Sequence, residues 1–275
     1  MRLSASRMNT WMECPRKAAF RYVEGLPEPQ NAAASFGTVV HHALQKYNDT
    51  MDLDRALEDF RSNWENPERL GVAPDIWPRY TDSRTYLERG IKALEGYHDQ
   101  VRWANRTVLA TEHPFLVPFG RHELTGFVDL LQISGAKKGT ALEIVDYKTS
   151  SRVPFVGNLR QNVQMTVYDY ASRQDEFWLG NGPEFPPMVN GAHWLEFTRD
   201  LKRVNTWYAL TQQRAVDAGE RNLADFMRLY RVADEIERAL EHQVFVPNIS
   251  GDSCGFCPYT LPCGLAIPPS EVEDD

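Results

Sequence analysis

No stretch of this chain approaches the roughly 18 uninterrupted apolar residues that a membrane helix needs, so no spanning segment is expected. The opening MRLSASRMNTW lacks the apolar core of a secretory signal, which predicts a chain kept in the cytoplasm. Cysteine is scarce, at four in 275 residues, too few for the disulfide scaffold of a secreted protein. Positive charge is in deficit: 30 Lys and Arg stand against 38 Asp and Glu, for a formal net charge of −8. That balance argues against coating nucleic acid or anionic lipid by bulk charge and leaves room only for a local basic groove. Internal repeats are missing, and so is any G-x-x-x-x-G-K-[ST] phosphate loop, so the chain carries no nucleotide-driven motor. What is present, 42% hydrophobic and 25% charged residues, excludes disordered, collagen-like and coiled-coil classes for the chain as a whole.

The first hundred residues read as helical, with apolar positions at helical spacing over 4–24, 36–48, 52–66 and 82–104. Gly25 and Pro27 stop the first of these, and the Pro-bearing loop ENPERLGVAPDIWP separates the last two. The texture then changes. TVLATEHPFLVPF, HELTGFVDLLQI and, after SGAKKG, TALEIVDYKT are β-branched and aromatic runs that predict a three-stranded meander. Residues 158–173 return to helical periodicity, 188–197 predicts a strand, and 207–243 is a charged amphipathic stretch at helical spacing. Near the end, PNISGDSCGFCPYTLPCG has no periodicity and too many aromatics and cysteines for a plain linker.

Asp146 and Lys148 lie two apart on a predicted strand and so share a face, with Tyr147 on the other. Ile144, Val145 and Tyr147 mark that strand as interior, where a charge is costly unless it is paired or binds a metal. A buried ion pair is the plain alternative. Asp129, in the apolar run LTGFVDLL, follows Gly126, a position where a side chain would obstruct close approach. A hairpin through SGAKKG would place Asp129 beside Asp146, and two carboxylates that close call for a cation between them. Hard oxygen ligands suit magnesium or manganese, which would bridge a phosphate oxygen and activate water, with Lys148 stabilising charge on the phosphate. The chemistry implied is phosphodiester hydrolysis.

The cysteines add a second signal. Cys254, Cys257 and Cys263 cluster near one end and Cys14, in MECPRKAAF, near the other. A zinc ribbon normally offers two Cys-x-x-Cys knuckles and here there is one, while a 4Fe-4S cluster accepts such uneven spacing; structural zinc and buried thiols are the alternatives.

Taken together, Gly126-x-x-Asp129 followed by Asp146-x-Lys148 resembles the core signature of the PD-(D/E)xK nuclease superfamily. That resemblance implies an α/β fold, a mixed central sheet flanked by helices. FGTVVHHALQ resembles the motif in which RecB-like nucleases carry a metal-ligating histidine, and Gln164-x-x-x-Tyr168 resembles their motif after the catalytic strand. Gly126 and Phe127 stand where the superfamily name puts a proline, and the RecB-like branch resembles this sequence in doing without it. Carried over by resemblance, His41, Asp129, Asp146 and the Tyr147 carbonyl would be metal ligands, and Lys148 the catalytic lysine. Gln164 and Tyr168 would contact the DNA backbone or steady the site. The Gly37-Thr38-x-x-His41 register favours His41 over His42. One cysteine in an N-terminal CPR helix and three near the C-terminus resemble the cluster of iron-sulfur RecB-like nucleases of the AddB-type and CRISPR-associated exonuclease group. A 4Fe-4S cluster on Cys14, Cys254, Cys257 and Cys263 would then staple the chain's ends together.

The resemblance runs from Ser4 to Gly264 and implies one nuclease domain over 1–275. Within it, 1–105 is a helical region with the first cluster cysteine, 106–205 the catalytic core, 206–267 a long helix and cluster segment, and 268–275 an acidic tail. The function implied is a Mg- or Mn-dependent DNA exonuclease acting at ends or on single strands in recombination, repair or DNA processing. A helicase, recombinase or second copy would be the partner. A non-cleaving DNA-binding or assembly module and a structure-specific endonuclease are the competing readings. Arg16, Lys17 and Arg21 are either phosphate contacts or solvated helix charges, and Trp11 and Tyr22 either stack on bases or belong to the core.

Overall fold

A computed structural model describes residues 1–28, 32–72, 83–136, 139–150, 154–179, 198, 201–249, 254–255 and 257–264. Predicted features at 188–197 and 268–275, and part of the SGAKKG turn, lie outside these described residues.

The chain opens with β1 (Arg2–Leu3), α1 (Ala5–Glu13) and α2 (Pro15–Tyr22). The single helix predicted over 4–24 is therefore two. Cys14 precedes a proline and takes an extended conformation, φ −160° and ψ 111°, because the proline ring excludes the helical one. Pro15 then starts α2 at its first position, where its missing N–H costs nothing. The three following helices, α3 (Ala32–Thr50), α4 (Leu53–Glu65) and α5 (Ser83–Val101), match prediction and pack together through Val40, Leu44, Phe60 and Tyr97.

The predicted meander is β2 (Arg106–Phe119), β3 (His122–Ala136) and β4 (Gly139–Lys148). After it come α6 (Val156–Leu159) and α7 (Val163–Ala171), split where Asn162 caps the second helix by accepting from Met165 N, then α8 (Asp175–Leu179). The helical reading of 207–243 is corrected over 207–222. Residues 202–209 form β5 (Lys202–Ala209) and 214–217 form β6 (Arg214–Asp217), and only α9 (Leu223–Glu241) is helical. The run NTWYA has the β-branched and aromatic content of a strand, and its place beside β4 decides its conformation. A short α10 (Thr260–Cys263) ends the described chain.

The sheet is mixed, in the order β1-β3-β4-β5-β6 with β2 also on β3. β1/β3 and β4/β5 are parallel, and β2/β3, β3/β4 and β5/β6 antiparallel. Helices α3, α4 and α5 cover one face, where Leu130, Val145, Tyr147 and Tyr208 point. Helices α1, α7 and α9 cover the other, over Leu124, Val128, Leu142 and Ile144. β3 changes neighbours along its length: residues 123–124 pair with β1, and 130–136 with β4. Between those segments the sheet forks, and Asp129 sits at the fork.

Candidate active site

β4 delivers two charges to the fork. Asp146 is fully buried, and Lys148 Nζ donates to its Oδ1 at 2.9 Å. The same ammonium lies 2.7 Å from Oδ2, so both carboxylate oxygens sit against the lysine. Lys148 Nζ also donates to Gln164 Oε1 at 3.1 Å, and Gln164 Nε2 to the Tyr168 hydroxyl at 2.7 Å. Gln164 and Tyr168 fall one turn apart on α7, so both face β4. The predicted set Asp146, Lys148, Gln164 and Tyr168 is thus one hydrogen-bonded chain. Burial, reinforced by the charges of Asp146 and Asp129, pushes the Tyr168 phenol well up, and it stays protonated.

Asp129 lies one residue beyond the last β3/β4 pair, Leu130 with Val145, and its Oδ2 accepts the Tyr147 N–H at 2.7 Å. The adjacency of Asp129 to Asp146 follows from this register. Across the fork, His41 on α3 places Nδ1 3.5 Å from Asp129 Oδ2. Its neighbour His42 turns away to α4, with Nδ1 2.8 Å from Asp59 Oδ2, so of the two histidines it is His41 that lies beside Asp129. Tyr147 sends its ring to the opposite face, where its hydroxyl meets Tyr97 at 2.6 Å and Asn48 Nδ2 at 3.1 Å.

Two neighbours of the site escaped the sequence reading. Glu112 Oε1 lies 4.0 Å from His41 Nδ1, and His41, Glu112 and Asp129 can bring one donor atom each within 4.8 Å of the others. Glu112 reaches inward because its backbone is left-handed, φ 45°, which breaks the alternation of β2: Thr111 pairs with Asp49 on α3, while His113 pairs with Phe177 O on the other face. Counting back from the tight β2/β3 turn, where Phe119 pairs with His122, places Glu112 opposite Asp129, and that is the signal available in the sequence. The second is Trp207, beside Asp146 in the parallel β4/β5 register, whose ring lies 5.3 Å beneath Lys148 Nζ.

The electrostatics fit a cation. Burial pushes Asp129 and Asp146 up to about 6, with Asp129's charge adding to the shift of Asp146. Burial and those two acids push Glu112 up to about 7. Burial holds His41 down at about 4, so its imidazole is neutral, the form that ligates metal. Three crowded carboxyl groups and a neutral imidazole form a donor set that suits a divalent ion with oxygen preference.

Away from this centre, Cys14, Cys254, Cys257 and Cys263 are all free and line one pocket with Lys17, Phe20 and Asn248. Cys14 Sγ accepts from Lys17 N at 3.5 Å and Asn248 N at 3.3 Å, at the start of α2. The nearby cations form surface ion pairs: Arg16 with Glu24, Lys17 with Glu13 and Arg21 with Glu28. Trp11 is buried against Phe245 and belongs to the core, while Tyr22 is half-buried beside Arg7 and Arg21.

No curated protein sequence matches the chain. Among solved structures, the crystal structure of SSO0001 is similar at 11% identity over 94% of this chain and 97% of that one, with a TM-score of 0.31. A family profile for the PD-(D/E)XK nuclease superfamily matches residues 2–264, a span that takes in His41, Asp129, Asp146, Lys148 and all four cysteines. The chain belongs to the PD-(D/E)XK nuclease superfamily.

Proposed function

We propose that this superfamily member is a magnesium- or manganese-dependent deoxyribonuclease that digests DNA from ends or along single strands. The observation that carries the reading is the fully buried Asp146 carboxylate, which pairs with Lys148 beside the cluster of His41, Glu112 and Asp129. Those four side chains and the Tyr147 carbonyl would hold the ion, which when bound supplies Lewis acidity at a phosphate oxygen and lowers the pKa of water. Lys148 places Nζ beside Asp146, where it can meet charge developing on the phosphate. Gln164 fixes that ammonium through Oε1 and orients the Tyr168 hydroxyl through Nε2. The Trp207 ring, 5.3 Å from Nζ, offers the ammonium a cation–π contact.

The four gathered cysteines support a 4Fe-4S cluster held by Cys14, Cys254, Cys257 and Cys263, with a structural role, since hydrolysis has no electron to move. The motifs that resemble the RecB-like iron-sulfur branch support exonuclease action within recombination, repair or DNA processing, with a helicase or recombinase as partner. Among the described residues no helix is long and apolar enough to cross a membrane.

The test is an anaerobic preparation given end-labelled linear DNA and a covalently closed circle, with magnesium or manganese. Loss of label from the linear substrate, an intact circle and an inert Lys148→Ala variant are expected. Cutting of the circle would replace the exonuclease reading with an endonuclease one, and equal inertness of both proteins with DNA still bound would favour a non-cleaving module.

A further inference from the structure

The start of β3 presents two unlike faces. Leu124 and Val128 are buried against the α1 and α9 layer, and a Cβ on Gly126 would meet the Phe115 ring at 3.0 Å on that same side. Thr125 and Phe127 therefore point from the opposite face, the one on which Asp129 approaches His41. Their β2 partners there are Leu116 and Pro114. Phe127 is 59% exposed and Leu116 42%. An antiparallel strand with one solvated face ordinarily places polar side chains at such positions. Here an apolar ring stands in water, on a rigid strand, two residues from a candidate metal ligand.

Two strand residues separate Phe127 from Asp129 by roughly 6.6 Å. That is the scale of one nucleotide step along an extended strand, so a base attached next to a phosphate at Asp129 falls within reach of the ring. We propose that Phe127 is a stacking platform for the nucleobase beside the phosphate at the metal site, and that it makes this a site for unpaired strands. The proposal rests on the nuclease reading above and deepens it by naming the substrate class. Inside a duplex both faces of each base are covered by neighbours and only a terminal pair keeps one face open, so the ring gains most where the strand is single or frayed. Every base has a π-face, so the platform favours unpaired DNA without reading its sequence. Continuity with the metal site argues for a base rather than another apolar occupant: Phe127, Asp129 and His41 share one side of the fork.

The experiment compares the full-length wild type with Phe127→Ala and Phe127→Trp on two single-stranded oligonucleotides in manganese. One carries bases throughout and the other an abasic tract over the terminal nucleotides. The wild type should show a KM lower by about tenfold for the base-bearing strand, the scale of one stacked base. Phe127→Ala should lose that preference and Phe127→Trp should keep it. Because the ring is exposed, all three should melt together. A Phe127→Ala variant that keeps the wild-type KM ratio while cutting both strands overturns the platform and leaves the nuclease reading standing. A wild type that cuts neither strand overturns the nuclease reading, and the platform with it.

Discussion

Asp129, Asp146 and Glu112 are held at a stability cost in the metal-free chain. Their pKa values of about 6, 6 and 7 lie above the ordinary carboxylate range. The folded chain thus retains protons that the unfolded chain has already released, and the stability these groups contribute is present at low pH and lost as pH rises through 6 to 7. His41, lowered to about 4, acts in the opposite sense between about 4 and its usual 6.5, but it is one group against three. EDTA-treated protein should therefore melt lower at pH 7.5 than at pH 5, and added manganese should reverse the loss at pH 7.5. Asp146→Asn should raise the metal-free melting temperature at pH 7.5 and abolish cleavage. Scanning calorimetry of both proteins at the two pH values checks this, and a wild type that melts higher at pH 7.5 without metal would count against the buried-acid account. Asp129, Asp146 and Lys148 were legible in the sequence because charges inside apolar strands are conspicuous. Glu112 was not, because its inward aim depends on a left-handed backbone that alternation does not foresee.

At the scale of elements, β4 is fixed from behind by a buried polar network. Tyr147 joins Tyr97 and Asn48, and Arg106 bridges Asn48, Tyr97 and Gln132, so the strand carrying Asp146 and Lys148 is tied to α3, α5 and β2. Tyr147→Phe removes one partner each from the Asn48 amide, which keeps Leu44 O, and the Tyr97 hydroxyl, which keeps Asn48 Oδ1, at a cost of about 0.5–1.5 kcal/mol in urea denaturation. Cleavage per folded molecule should change far less, since the ring faces away from Lys148. A stability loss below this range would mean that water replaces the hydroxyl. Helices α3, α4 and α5 and the meander were legible because their periodicities are long and their breakers sharp. The segment 207–222 was not: its apolar spacing suits a helix in isolation, and only pairing with β4 makes Trp207 and Tyr208 strand residues. The α1/α2 break was written in the sequence as Cys14-Pro15 and needed only the rule that a residue before proline leaves the helical region.

Across the described residues, the segment after α9 returns to the N-terminal helices. β1 joins the sheet beside residues 123–124, and the segment around Asn248 returns to Cys14, where Asn248 Nδ2 donates to Glu13 O at 2.9 Å. A cluster on the four cysteines would close that very long loop and remove conformations from the unfolded chain. Cys257→Ser should yield colourless protein with a lower melting temperature and early proteolysis beyond α9, whereas Asp146→Asn should keep the colour. Iron and sulfide analysis of the two variants checks this; a Cys257→Ser protein with full iron content would remove Cys257 from the ligand set. The spacing of the cysteines was legible in the sequence, while their meeting depended on a fold that brings residue 14 to residue 254.

The central claim is that the fork between β3 and β4 holds a divalent ion for cutting DNA. A titration of manganese against cleavage of an end-labelled single strand tests it most directly, with wild type, Glu112→Gln and Asp146→Asn run side by side at pH 7.5. The account predicts saturable activity in the wild type, a rise of about tenfold or more in the manganese needed by Glu112→Gln, and none of this activity in Asp146→Asn at any concentration. Cleavage by the wild type that survives EDTA, or an Asp146→Asn variant as active as wild type, would contradict it.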